Sequence, residues 1–140
     1  METRLDLPYA EAVTRVREAL AAEGFGVLTE IDVRATMDAK LGVELEDYVI
    51  LGACNPSLAY RALEVDRSVG LLLPCTVTVR AEGGTSLVEM LDPRAMVTMT
   101  GTPELSPIAE EARARLERVR DALAGATATG APAGPGGGRP

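Results

Sequence analysis

The sequence predicts an α+β domain, a single sheet packed by helices, in the order β-α-β-(α)-β-α-β-β-(α)-α. Three observations carry this. Two long segments repeat apolar residues at helical spacing, shorter segments between them alternate or run continuously apolar, and glycine or Asn-Pro steps separate the two kinds. A chain of 140 residues, 46% hydrophobic, is one domain of ordinary size with enough material for a core. With one Phe, three Tyr and no Trp, that core must rest on Leu, Val, Ile and Ala.

Residues 1–7 alternate weakly, with Thr3, Leu5 and Leu7 on one face, and predict a first strand. In 9–23 the residues Tyr9, Val13, Val16 and Leu20 recur at helical spacing, and Gly24 stands where a helix ends left-handed. Residues 26–33 predict a strand with Val27, Thr29, Ile31 and Val33 on one face and Leu28, Glu30 and Asp32 on the other. A short helix over 34–41 stops at Gly42. The run YVILGAC, 48–54, suits a strand buried on both faces. Asn55-Pro56 then supplies a cap and a first helical residue for a helix to about Val65 that buries Leu58, Ala59, Ala62 and Leu63. Residues 72–81 predict a strand with Cys75, Val77 and Val79 on one face and Thr76, Thr78 and Arg80 on the other. Gly83-Gly84 turns the chain into a pairing strand, 85–91. Asp92-Pro93 caps a short helix through Met99. The last helix takes Ser106 as cap and Pro107 as first residue, and carries the stripe Ile108, Ala112, Leu116, Val119 and Leu123. Its Glu110 and Glu111 sit near the positive end and Arg118 and Arg120 near the negative end. Residues 1–124 form the domain. Residues 125–140, GATATGAPAGPGGGRP, are too poor in apolar side chains to offset their ordering entropy and predict a disordered tail.

Composition narrows the function. A net charge of −7 opposes binding to nucleic acid and to anionic membranes, and no basic run offsets it. No segment reads as a signal peptide or a bilayer span, which predicts a cytosolic protein. Two cysteines beside an adequate core predict reduced thiols. The absence of histidine removes Ser-His and Cys-His nucleophile pairs and imidazole metal ligation. No catalytic residue set, cofactor or metal is therefore expected.

The runs GFGVLTEIDVRATMDAKLGVELEDYVILGACNPSLAYRAL and VGLLLPCTVTVR, with LDPRAM and GTPEL after them, resemble the domain of unknown function 302 family of small bacterial and archaeal proteins. LTEID, ILGACNP and LLPC are the specific parts, and the resemblance covers nearly all of the chain before the tail. It implies a helix-grip-like fold: a curved, mainly antiparallel sheet gripped by helices, with a β-α-β-β-β-β-α core and short inserted helices. It also implies a homodimer, and no established activity.

Candidate ligand-binding residues are Cys54, Asn55, Cys75, Glu30 and Asp32. Cys54 and Asn55 lie where a strand enters a helix, whose N-terminal N–H groups favour thiolate and anions. A small buried hydrophobe and a plain cap are the bland alternatives. If strands 48–54 and 72–81 are antiparallel, both thiols reach one sheet edge. If they are parallel, the thiols sit at opposite ends, and the intervening helix permits either arrangement. Close thiols suit a dithiol redox pair or a soft metal, although two are too few for a closed zinc site. Glu30 and Asp32 share a strand face and offer either a carboxylate pair or a solvated surface. Met90, Met96 and Met99 suggest soft copper, but core packing explains them without a metal. The leading expectation is a non-catalytic homodimeric module that binds a small ligand or a partner. The alternative is a thiol-dependent enzyme or redox protein using Cys54 and Cys75.

Overall fold

In the computed structural model, which describes residues 1–126, the strands are β1 (Glu2–Leu5), β2 (Gly26–Asp32), β3 (Tyr48–Cys54), β4 (Cys75–Glu82) and β5 (Thr85–Met90). The helices are α1 (Tyr9–Ala22), α2 (Val33–Leu41), α3 (Pro56–Val65), α4 (Ala95–Thr100) and α5 (Ser106–Ala124). The strands form one antiparallel sheet in the order β1-β5-β4-β3-β2. The α+β class and the β-α-β-β-β-β-α core with inserted helices are thus as expected. The expected tail, apart from Gly125 and Ala126, lies outside the described residues. Ala126 is buried against the main core.

Period-two alternation decides which face the helices cover. Val49, Leu51, Ala53, Val77, Val79 and Val88 project to one side, onto Ala12, Val16 and Leu20 of α1 and Leu116, Val119 and Leu123 of α5. Each such aliphatic side chain contributes about 1.5–3 kcal/mol on burial. The first half of α5 serves a second cluster, in which Ile108, Ala109 and Ala112 meet Leu58 and Ala62 of α3, Val69, Met96 and Leu105. One long helix therefore ties the sheet to the α3–α4 lobe.

The opposite sheet face corrects one expectation. β3 is a central strand, yet only Val49, Leu51, Gly52 and Ala53 are buried, while Tyr48 and Ile50 are half-buried on the face away from α1 and α5. Charged pairs cover that side over β4, β5 and β1. Arg80 pairs with Glu89 and lies 5.9 Å over the Tyr48 ring, and Arg4 reaches Glu82 at 2.7 Å.

Other departures have local causes. A bulge in β2 sets Val27 against Ala53 and Thr29 against Gly52, which extrudes Leu28 and inverts the alternation beyond it. Val27, Glu30 and Asp32 therefore share the helix-side face, and Thr29 and Ile31 the other. Residues 67–72 form a 3-10 turn rather than opening β4, which starts only at Cys75 after a cis Leu73–Pro74 bond. Ser106 is the first residue of α5 and caps nothing with its side chain. Asp92 accepts from the Arg94 N–H at 2.9 Å, making a turn ahead of α4 instead of capping it. Of the two methionines on α4, only Met96 is buried; Met99 is exposed.

Candidate functional site

The β3–α3 junction carries the site. YVILGAC is apolar enough to cross the centre of the sheet, and Asn55-Pro56 turns it directly into a helix. The Asn55 Oδ1 accepts from the Leu58 N–H at 3.2 Å, and the Asn55 carbonyl accepts from the Ala59 N–H at 2.9 Å. Pro56 has no N–H to offer. Asn55 is itself buried, and its amide packs on Gly24, where a built Cβ would stand 2.9 Å from Nδ2. That close approach and a φ of +85° both require glycine there. Arg115 of α5 donates to the Glu23 carbonyl at 3.0 Å and closes the junction from outside.

β4 runs antiparallel to β3 with Cys75 opposite Ala53, and β2 sets Gly26 opposite Cys54. This register decides the open question of strand direction, since the end of β3 and the start of β4 meet at one edge. Cys54 and Cys75, both half-buried free thiols, line one apolar cavity with Asn55, Phe25, Leu58 and Met96. The cavity holds about 20 Å³. That admits one water or one small ion and no metabolite.

The electrostatics are those of a thiol pair. Burial, and secondarily the neighbouring Cys54, pushes the Cys75 thiol up to about 11. Burial also pushes the Cys54 thiol above its ordinary value. Burial thus outweighs the thiolate preference of a helix N-terminus, two of whose N–H groups, on Leu58 and Ala59, already bond to Asn55.

Glu30 and Asp32 are not part of this site. They lie four and six residues along β2 from Gly26, about 13–20 Å away at strand rise. Glu30 pairs with Arg17 of α1, and Asp32 caps α2 by accepting from the Ala35 N–H at 2.9 Å. Their roles are an exposed ion pair and a helix cap. Phe25 and Leu58 were missed as lining residues, since core and cavity wall carry the same apolar signal.

Replacing Asn55 by Ala is expected to lower stability by about 1–2 kcal/mol, from the lost cap and the gap left over Gly24. Asn55→Asp, which keeps the accepting oxygen, should recover part of this. Urea denaturation of both variants measures it; equal losses would show that the cap is not what the amide supplies.

The family model for Domain of unknown function DUF302 matches residues 1–123. The chain belongs to the DUF302 family. Among solved structures, the uncharacterized conserved protein DUF302 from Bacillus stearothermophilus is similar over 86% of this chain and 94% of its own, at 34% identity and a TM-score of 0.80. No curated protein matches the sequence. The strand pairing that gathers Cys54 and Cys75 thus lies within the DUF302 fold. Among its described residues, no helix is long and apolar enough to cross a membrane, and no three His, Cys, Asp or Glu side chains cluster to hold a metal.

Proposed function

We propose that this DUF302 chain is a non-catalytic homodimeric module whose partner surface is β2 with α2. The observation that carries this is the uncovered apolar surface there. Among the described residues β2 is an edge strand, paired only with β3, and exposes Leu28 and Ile31. α2 buries no residue, although Val33, Met37 and Leu41 recur every four residues, and Leu41 is 70% exposed. Val43 extends the patch. An apolar helical stripe ordinarily needs a cover. A second copy supplies one, because an antiparallel edge strand can pair with its own symmetry mate in a closed two-fold dimer.

The cavity at the cysteines is water-sized, which argues against metabolite binding there. The thiol-enzyme alternative needs a depressed thiol pKa, and both thiols are raised. Two free thiols side by side fit a reducing, cytosolic setting.

Sedimentation equilibrium at micromolar protein is expected to give a dimer. Ile31→Lys with Leu41→Glu should give a monomer with little change in thermal unfolding, because both side chains are exposed. A monomeric wild type would refute the reading. A dimer indifferent to both substitutions would refute the β2–α2 surface.

A further inference from the structure

We propose that Cys54, Cys75 and Met96 form a binding site for one copper(I) ion. The juxtaposition is specific. Three sulfur-bearing residues, from the end of β3, the start of β4 and the first turn of α4, line a single cavity. Its volume of about 20 Å³ fits one small ion in place of one water. The remaining wall is largely aliphatic and aromatic, from Phe25, Leu58 and Ile108.

Ligand chemistry selects the metal. Calcium and magnesium require six or more oxygen ligands, and the wall contains no carboxylate. Zinc in a structural site takes four ligands from Cys, His or carboxylate, and only two are here. Thiolate and thioether sulfur are the ligands that favour copper(I), a closed-shell cation satisfied by two or three of them. An apolar wall excludes the water and oxygen ligands that copper(II) prefers.

The balance is simple. Two thiols lose their protons to solvent, two S–Cu bonds form, and the Met96 thioether adds a neutral third donor. No electron is transferred. The resulting complex carries one negative charge. Two protons leave on binding, so affinity should rise with pH. The site rests on the cavity alone and is independent of the dimer surface.

The test is anaerobic titration of the reduced full chain with copper(I) held by bicinchoninate. The wild type is expected to withdraw one equivalent, with sulfur-to-copper charge-transfer absorption in the ultraviolet and the stated pH dependence. Cys54→Ser and Cys75→Ser should each abolish retention, and Met96→Leu should weaken it about tenfold at unchanged stoichiometry. X-ray absorption on the loaded wild type, which needs no variant to fold, should show a sulfur-only shell. Failure to withdraw copper, or retention by the Cys54→Ser/Cys75→Ser double variant, overturns the site. Nitrogen or oxygen neighbours in the absorption spectrum overturn it too. Unchanged affinity in Met96→Leu overturns the thioether ligand.

Discussion

Adding a single methyl group at Gly52 should destabilise the protein by about 3 kcal/mol, at the upper end of overpacking effects. The backbone at Gly52 has ordinary dihedrals, so the argument is one of space. A Cβ there would stand 2.3 Å from the Thr29 Oγ1 and 2.7 Å from the Pro74 Cγ. Thr29 is held by pairing with Gly52 itself, immediately after the β2 bulge, and β-branching limits its rotamers. Pro74 is a rigid ring one residue before Cys75 and cannot swing aside. Gly52→Ala must therefore push β2 away or displace the start of β4, and the second route moves Cys75 and opens the cavity. Urea denaturation should show a lower midpoint at unchanged slope. Thr29→Ala in the Gly52→Ala background removes the closer contact and should restore about half of the loss. A cost below about 1 kcal/mol would mean that the strands separate freely there, and that the cysteine edge is less firmly held than its packing implies.

Gly52 also marks how far the sequence could be read. A glycine inside YVILGAC signals a close backbone approach, but nothing in the chain names Thr29 and Pro74 as what approaches. The strands, the three longer helices and the Asn55 cap were legible because each follows from local periodicity or local hydrogen bonding. The direction of β4 relative to β3 was not, since a helical connection serves both arrangements. Position-by-position alternation failed at Leu28, where one inserted residue reversed the faces of everything after it in β2. That error made Leu28 a companion of Glu30 and Asp32, which the folded strand turns the other way. The two carboxylates lie away from the cysteine cavity, for a related reason. Their partners, Arg17 on α1 and the first turn of α2, are set by tertiary placement in one case and by an adjacent helix start in the other. Met96 is the sharpest case. Core packing explains it in sequence, and in the fold it is buried as expected, yet the wall it helps to form contains both thiols.

At pH 8, Cys75 should react with iodoacetamide at least about a hundredfold more slowly than an unperturbed thiol, because only the thiolate attacks. The pKa near 11, against an ordinary 9.0, lowers the thiolate fraction by that factor, and burial restricts access further. The same proton makes stability depend on pH. The unfolded chain ionises Cys75 near 9.0, and the folded chain keeps its proton until about 11. Between those values the unfolded state releases a proton that the folded state retains, so stability falls as pH rises. The contribution is complete below pH 9 and lost above 11, a total of roughly 2–3 kcal/mol. Urea denaturation from pH 8 to 11 should show this decline in the wild type and a shallower one in Cys75→Ala. Tyr9, also raised by burial and by Asp32 and Asp47, leaves a residual slope of the same sign. Cys54→Ala should keep most of the decline but end it at a slightly lower pH, since the neighbouring thiol is the smaller of the two causes acting on Cys75. A fast alkylation of Cys75 at pH 8 would place a thiolate in the cavity, whereas a flat stability profile to pH 11 would show only that burial leaves the thiol unperturbed. Fast alkylation would put the thiol-enzyme alternative ahead of the binding module, because a nucleophile ready at neutral pH is the one thing the packed, protonated pair lacks.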